Sequence, residues 1–191
     1  MDKSIISMSK LLLKLDSISG NNKVMVFASR IHQVKIGKEE IENYCIWNKS
    51  GLTRNYLRKT EEYELLLLCW EPGQRSSIHD HNGQRGWCYV IEGTIREEQF
   101  EFPKIPGKMK LINNPFLKQG ELAHIRDDIG LHRLSNVSDD ERAITLHLYV
   151  KPLERVNVFN EFTGTMREIT LEYDPIAPDS YRDGSISEQV R

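Results

Sequence analysis

The sequence lacks a strong charge of either sign and any long apolar run. Its 26 basic and 28 acidic residues give a formal net charge of −2, so it has no basic field to attract nucleic acid or an anionic membrane surface. No apolar stretch approaches the roughly 20 residues that a membrane-spanning helix requires. The composition therefore predicts a protein that binds neither nucleic acid nor membrane.

Cysteines are few, and no leader pattern stands at the start. Cys45, Cys69 and Cys88 are an odd and scattered set, which argues against a disulfide framework. The first residues lack the order of basic, apolar and small residues typical of a secretory signal, and the apolar run Leu11–Leu13 is followed directly by Lys14. These features predict a cytoplasmic protein.

The 191 residues fit one domain in which two textures follow one another. Residues 1–50 carry apolar side chains at helical spacing and are predicted to form N-terminal helices, the later ones over Val24–Val34 and Lys38–Trp47. Residues 51–173 are short apolar or alternating runs bounded by turn residues, which predicts a mainly β fold. Residues 174–191 are predicted to be a surface tail.

Particular stretches are predicted in more detail. Tyr63–Trp70 is nearly continuous apolar sequence, as expected of a strand that is buried on both faces. Trp87–Ile91 and Thr94–Phe102 flank Glu92-Gly93 and are predicted to form a hairpin. Weaker strands are predicted at Met109–Ile112, Glu121–Ile125 and Met166–Tyr173. The first helix is predicted to bury Ile5, Met8, Leu12 and Leu15.

Two histidines separated by one residue are the strongest chemical signal. Alternate side chains of an extended strand project from one face, so His79 and His81 are candidate ligands of a transition metal. His132, at the start of a further predicted strand, is the candidate third ligand. His124 is interpreted as structural, and His32 as a surface residue.

The segment Ile144–Val150 alternates apolar and polar side chains. If its apolar face packs against another layer, Thr145, His147 and Tyr149 line the interior, where they can transfer a proton or hold an oxygen atom. A strand with its polar face in water is the alternative. The histidine pair elsewhere in the chain favours the interior arrangement.

Arg54 lies at the start of the β region. Most arginines are solvated, and the functional alternative is a planar guanidinium that binds a substrate carboxylate through two hydrogen bonds. The local sequence leaves both interpretations open.

The β region resembles the cupin superfamily, whose first motif places His-x-His between two glycines. Gly73, His79, His81 and Gly93 match the spacing of that motif, whereas Gly86 stands where it has an acidic ligand. The final His and Asn of the second motif are matched by His132 and Asn136. Three histidines without an acidic ligand are typical of one cupin branch, the cysteine dioxygenases.

The resemblance to cysteine dioxygenases covers about residues 50–173. It implies a jelly-roll-like cupin fold, a small β-barrel with an N-terminal helical segment, and a monomer. Segments that match in the same order with similar gaps are Leu-Thr-Arg54-Asn, Leu-Cys-Trp70, Ser-Ser-Ile-His79-Asp-His81, His132-Arg-Leu-Ser-Asn136-Val-Ser and Leu-His147-Leu-Tyr149.

The resemblance also implies a metal and a reaction. In the family three histidines hold non-haem Fe(II), which corresponds here to His79, His81 and His132. Three imidazoles leave three positions of an octahedral iron open for a thiolate, an amine and O2. The implied reaction converts L-cysteine and O2 to cysteine sulfinic acid.

Further roles follow from the same resemblance. Thr145, His147 and Tyr149 correspond to the catalytic residues. Arg54 matches the arginine that binds the carboxylate of the amino acid, and Trp70 and Tyr149 are also expected on the substrate side.

The sequence departs from the animal enzymes at three positions. Gly86 replaces the cysteine that forms a thioether crosslink to the active-site tyrosine, so we expect Tyr149 to be uncrosslinked. Cys88, two residues further on, is interpreted as a structural core thiol. Leu52 replaces a tyrosine on the substrate side, so one substrate contact is lost.

Two other functions remain as alternatives. One is a dioxygenase of 3-mercaptopropionate or another small thiol, although relatives with that preference carry Gln where Arg54 stands. The other is a non-catalytic cupin that binds a metal or a small ligand. Such a binding module needs no acid–base trio, so the sequence favours an enzyme that acts on L-cysteine.

Overall fold

The computed structural model describes residues 4–17, 26, 31, 34–36, 38–103, 108–126 and 130–174. None of the helices in these ranges is both long enough and apolar enough to cross a membrane. His32, most of the predicted helix Val24–Val34 and the predicted tail beyond Asp174 lie outside the described residues.

The chain forms two short helices and two larger sheets within the described residues. The helices are α1 (Met8–Ser17) and α2 (Lys38–Glu42). The strands are β1 (Ser4–Ile6), β2 (Val34–Ile36), β3 (Thr53–Lys59), β4 (Tyr63–Trp70), β5 (Ile78–His79), β6 (Gly86–Glu92), β7 (Thr94–Glu101), β8 (Lys110–Asn113), β9 (Phe116–Lys118), β10 (Leu122–Ile125), β11 (Leu131–Asn136), β12 (Ala143–Val150), β13 (Arg155–Asn160) and β14 (Thr165–Thr170).

Helix α1 packs on the outside of the barrel. Ser7 caps its first turn, because the Ser7 Oγ accepts a hydrogen bond (3.1 Å) from the backbone N–H three residues on. Met8, Leu11 and Leu15 are buried and Leu12 is partly buried, all in one cluster with the barrel strands. The helical spacing therefore predicted the side of α1 that faces the core.

The N-terminal region is not entirely helical, and this part of the prediction is wrong. Ser4–Ile6, which includes the predicted helical position Ile5, pairs in parallel with Val34–Ile36. Helix α2 ends at Glu42 rather than at Trp47. The paired segments are rich in β-branched residues, which fit a strand better than a helix once a partner strand satisfies the backbone.

Two antiparallel sheets form the barrel. One has the strand order β10-β6-β12-β4-β3, and the other β14-β13-β5-β11-β7-β8, with β9 also paired to β7. Strands distant in sequence lie side by side, as where β12 lies between β4 and β6. The predicted mainly β, cupin-type barrel is confirmed.

Strand β4 of the five-stranded sheet is buried on both faces. Leu65 and Leu67 of β4 belong to the outer cluster with α1, whereas Leu66 and Leu68 belong to the inner cluster with residues of the second sheet. The prediction that Tyr63–Trp70 is buried on both sides is confirmed. Strand β12 divides in the same way, because its alternate apolar side chains lie in the outer cluster.

The two strands around Glu92-Gly93 exist but do not pair with each other. Strand β6 belongs to the five-stranded sheet and β7 to the seven-stranded sheet, so the hairpin prediction is wrong. Gly93 has a φ of +81°, and a Cβ atom there would lie 2.8 Å from the Ala143 Cβ. Glycine is favoured at this crossing between the sheets because it accepts the positive φ and leaves room for Ala143. A short turn with glycine has the same sequence pattern whether it closes a hairpin or connects two sheets.

The weaker predicted strands are present as β8, β10 and β14 with shifted ends. The sequence pattern did not reveal β3, β9 or β13. Strand β3 carries Arg54, Arg58 and Lys59, and so many basic side chains obscure its alternation.

Candidate active site

His79 and His81 face the same side because the residue between them is anchored on the opposite side. The Asp80 carboxylate accepts hydrogen bonds from the backbone N–H of Asn157 (2.8 Å) and from its Nδ2 (2.9 Å). It also accepts one from the backbone N–H of Asn82 (3.1 Å). These contacts hold the end of the short strand β5 and the residues just after it against β13, and the imidazoles on either side of Asp80 both project inward.

His132 joins the pair through strand register. It is the direct partner of His79 across the antiparallel β5–β11 pair, although the two residues are far apart in the chain. Gly130, just before β11, has a φ of +117°, and a Cβ there would lie 2.0 Å from the carbonyl oxygen of Phe100. Only glycine permits this approach, which brings the start of β11 against β7.

The three imidazoles converge. One ligand nitrogen from each of His79, His81 and His132 lies within 4.8 Å of the others. The two Nε2 atoms of His132 and His81 are 3.2 Å apart. The predicted convergence of these histidines is therefore confirmed.

The outer nitrogens of two of these rings have partners of their own. His79 Nδ1 lies 2.9 Å from the backbone oxygen of Ser77, and His132 Nδ1 lies 3.0 Å from Glu97 Oε1. When each Nδ1–H donates to its oxygen, the Nε2 lone pair is left for a metal. Burial, together with the positive charge that His132 and His81 can carry, lowers the pKa of His79 well below its usual value, which favours the neutral ligand form.

Glu97 is a buried carboxylate beside the histidine cluster that sequence reasoning missed. It is buried on β7, and its hydrogen bond from His132 fixes the orientation of that ring. Burial acts to raise the pKa of Glu97, but the hydrogen bond and charge of His132 outweigh it and lower the pKa. The sequence feature that could have indicated it is the pair Glu97-Glu98, because alternation places the two side chains on opposite faces of a strand. Glu98 points outward and forms a two-point ion pair with Arg133, whereas Glu97 points inward.

This arrangement fits a transition metal. Imidazole nitrogen is a preferred ligand for Fe, Zn and Cu, and a carboxylate behind a ligating histidine is a recurrent feature of metal sites. Within the described ranges the cluster contains no carboxylate ligand, so three neutral donors would leave positions open for a substrate.

A hydrogen-bonded chain runs along the inner face of β12. Trp70 Nε1–H donates to Thr145 Oγ1 (2.9 Å), and Thr145 Oγ1 lies 2.9 Å from His147 Nε2. His147 Nδ1 lies 3.1 Å from the Tyr149 hydroxyl oxygen. These contacts are mutually consistent when the Thr145 hydroxyl donates to His147 Nε2 and His147 Nδ1–H donates to the Tyr149 oxygen. The phenolic hydrogen of Tyr149 can then point into the site.

The surroundings of the hydrogen-bonded residues of β12 favour the neutral forms of His147 and Tyr149. Burial, reinforced by the positive charge that His132 and His81 can carry and by Arg54, lowers the pKa of His147 to about 3. Burial raises the pKa of Tyr149, so the phenol keeps its proton. Tyr149 can therefore donate a hydrogen bond at neutral pH.

Tyr149 also touches the histidine cluster. Its ring stacks on that of His81, with ring centroids 5.7 Å apart. Gly86 is its partner on β6, and a Cβ at that position would lie 2.6 Å from Tyr149 Cδ1. The phenol thus occupies space that any larger residue at position 86 would take.

Arg54 lies on the same inner face, with one end of its guanidinium already bound. Its Nη2 donates to Glu64 Oε2 (2.8 Å) and to the backbone oxygen of Leu153 (2.9 Å). Its charge lowers the pKa of His147, as expected of a group inside the same barrel. Glu64, which is fully buried, is a second interior carboxylate that the sequence did not point to.

The remaining candidates lie in different surroundings. Trp70 is fully buried, and its N–H is used by Thr145; that Trp70 also contacts substrate stays a prediction. Cys88 is buried in the inner core, and burial raises its pKa, which confirms the core thiol. His124 stacks on Trp87 with ring centroids 4.8 Å apart, away from the three ligands, as a structural role predicts.

Comparison with known proteins places these features in a family. The chain is 33% identical over 132 residues to cysteine dioxygenase type 1 of Rattus norvegicus, covering 68% of this chain and 66% of the rat protein. It thus spans about two thirds of the length of that relative. It is 34% identical over 164 residues to cysteine dioxygenase type 1 of Danio rerio, covering 75% of this chain and 82% of the fish protein.

A solved structure and a family model complete the comparison. The crystal structure of a sugar phosphate isomerase from a cupin superfamily, from Silicibacter pomeroyi, matches with a TM-score of 0.47 and 16% identity, covering 68% of this chain and 83% of that one. The model of the family described as "Cysteine dioxygenase type I" matches residues 7–162. The chain belongs to the cysteine dioxygenase type I family.

Proposed function

We propose that the protein is a thiol dioxygenase that converts L-cysteine and O2 to cysteine sulfinic acid. The observation that carries the proposal is the meeting of two groups inside one barrel. Three histidine nitrogens lie within 4.8 Å of one another, and a buried phenol with its own hydrogen-bond chain stacks on one of them. A non-catalytic metal-binding protein would not need a buried phenol that is oriented by a series of hydrogen bonds.

In this proposal His79, His81 and His132 hold Fe(II). When bound, the ion supplies the electron-transfer chemistry that allows O2 to react with a thiolate. The reaction is balanced without a further reductant: RS⁻ and O2 give RSO2⁻, the O–O bond breaks, and two S–O bonds form. Sulfur is oxidised by four electrons, and both oxygen atoms end on it.

The residues of β12 handle the polar groups of the reaction. Tyr149 donates its phenolic hydrogen to oxygen in the site, since its raised pKa keeps it protonated. His147 fixes the phenol through the hydrogen bond to its oxygen, and Thr145 and Trp70 fix His147. Without a cysteine at position 86, Tyr149 acts as a free phenol.

Arg54 binds the substrate carboxylate. Its Nη2 hydrogens are already used by Glu64 and Leu153, so the carboxylate takes hydrogen bonds from the other nitrogens of the guanidinium. A carboxylate on the substrate therefore shares one guanidinium with a carboxylate of the protein.

One assay tests the function. Purified protein with and without added Fe(II) is given L-cysteine or 3-mercaptopropionate, and O2 uptake and sulfinate are measured together. We expect iron-dependent formation of one sulfinate for each O2 consumed, with L-cysteine the better substrate. A clear preference for 3-mercaptopropionate would refute the cysteine assignment, and no thiol-dependent O2 uptake would support a non-catalytic binding protein.

A further inference from the structure

Glu64 is a carboxylate inside the barrel to which the proposed reaction gives no role. It lies on β4 opposite Tyr149 of β12, and its side chain is completely buried. Its Oε2 accepts hydrogen bonds from Arg54 Nη2 (2.8 Å) and from the backbone N–H of Leu153 (3.1 Å). Its Oε1 accepts one from the hydroxyl of Tyr173. Both oxygens of this buried carboxylate therefore have hydrogen-bond donors, which fixes the position of the carboxylate next to Arg54.

The partners of Glu64 also hold Arg54. The Arg54 guanidinium lies over the Tyr173 ring, 4.9 Å from its centroid. Tyr173 itself is held near β3 because the backbone of Arg54 bonds to Asp174 in both directions, N–H to Oδ2 (2.6 Å) and oxygen to N–H (3.1 Å). Burial and the hydrogen bond to Glu64 raise the pKa of Tyr173, so its hydroxyl remains a donor.

The charge of Arg54 is therefore partly balanced before any substrate arrives. The Glu64 carboxylate is fully buried and lies 2.8 Å from Arg54 Nη2, so its charge opposes that of the guanidinium at short range. A substrate carboxylate at Arg54 would meet the attraction of the guanidinium and the repulsion of Glu64 together. Two carboxylates close to one cation in a dry interior repel one another strongly.

We propose that Glu64 determines how strongly this site selects thiols that carry a carboxylate. Glu64 fixes one end of the Arg54 guanidinium and weakens the attraction of the other end for the substrate carboxylate. Small aminothiols without a carboxylate therefore compete with L-cysteine better than they would if Arg54 had no acidic partner. The inference rests on the proposed function, because it takes Arg54 as the group that binds the substrate carboxylate.

The variant Glu64→Gln separates charge from geometry. The Gln oxygen can accept from Arg54 and Leu153 as Oε2 does, and its NH2 can donate to the Tyr173 oxygen, so each contact has a counterpart. Binding of L-cysteine and of cysteamine, which lacks the carboxylate, is titrated calorimetrically to the Fe(II)-loaded protein without O2. We expect the ratio of the two affinities to shift by roughly tenfold toward L-cysteine in this variant.

The variant Tyr173→Phe shifts the same ratio in the opposite direction. It removes a hydrogen bond that disperses the charge of Glu64, so cysteine should lose about threefold relative to cysteamine. A ratio that stays unchanged or falls in Glu64→Gln would overturn the inference, as would an unchanged or increased ratio in Tyr173→Phe. An equal shift when Glu64→Gln is added to Arg54→Gln would also overturn it, because the effect would not act through Arg54.

The outcome is independent of turnover. Protein that shows these shifts without O2 but forms no sulfinate in air refutes the proposed function and leaves the role of Glu64 intact. Protein that forms sulfinate but shows no shift refutes only the role of Glu64. Thermal unfolding followed by circular dichroism identifies which variants are folded before they are titrated.

Discussion

The two sheets of the barrel supply different halves of the site. The seven-stranded sheet contributes His79 and His132 as a cross-strand pair, with His81 two residues beyond the end of β5. The five-stranded sheet contributes the buried chain of β12 and the Arg54–Glu64 pair. Metal ligands need a fixed geometry, and strand register supplies it. The phenol of Tyr149 needs to stay protonated, and burial keeps it so by raising its pKa. Changes in one sheet should therefore leave the contribution of the other largely intact.

The largest expected effect comes from removing a ligand in the seven-stranded sheet. His132→Ala takes away one of three nitrogens, and we expect bound iron and sulfinate formation to fall to background. Iron content by mass spectrometry and the O2 assay measure this. His124→Ala is the matched control, since that imidazole stacks on Trp87 away from the cluster. Unchanged iron in His132→Ala would contradict the assignment.

Removing the phenol in the five-stranded sheet should separate chemistry from metal binding. Tyr149→Phe keeps the ring stacked on His81 but loses the hydroxyl, so kcat should fall on the order of 100-fold with iron content unchanged. Steady-state kinetics and metal analysis are compared with those of Tyr89→Phe, a change on the outer face of the same sheet. An unaltered kcat would show that the phenol has no part in the reaction.

Glu97 tests how far the metal site depends on the group behind its ligand. Glu97→Gln keeps the shape but weakens the hydrogen bond from His132 Nδ1, and we expect about 10- to 100-fold weaker iron binding in chelator competition. Glu98→Gln, one residue on and directed outward to Arg133, should leave iron affinity unchanged. Equal affinities in the two variants would contradict the role of Glu97.

The last expected effect is on stability rather than on iron binding or turnover, and it lies where a side chain at position 86 would enter the space of the phenol. Gly86→Ala places a methyl group 2.6 Å from Tyr149 Cδ1, and we expect about 1–3 kcal/mol less stability in urea unfolding. Gly51→Ala is the matched control, because nothing lies within 4 Å of a Cβ there. If both variants were equally stable, the ring of Tyr149 would have room to move.

Much of the site could be predicted because strand alternation is local. His79 with His81, and Thr145 with His147 and Tyr149, share a face wherever their strands lie, since the period of two belongs to the backbone. The histidine pair elsewhere in the chain then favoured the arrangement in which the polar face of β12 points inward. The buried carboxylates escaped prediction because Glu64 and Glu97 each lie close to other acidic residues in the sequence. Alternation places Glu97 and Glu98 on opposite faces, but only the tertiary partners show which one points inward.

The sequence alone determined the mainly β barrel, the ligand pair, the polar face of β12 and the resemblance to a family. Tertiary structure alone decided that His132 lies opposite His79, that β6 and β7 part at Gly93 into different sheets, and that Glu64 meets Arg54. The physical reason is distance along the chain. Alternation is set by neighbouring residues, whereas the pairing of strands depends on how remote segments bury their apolar faces together.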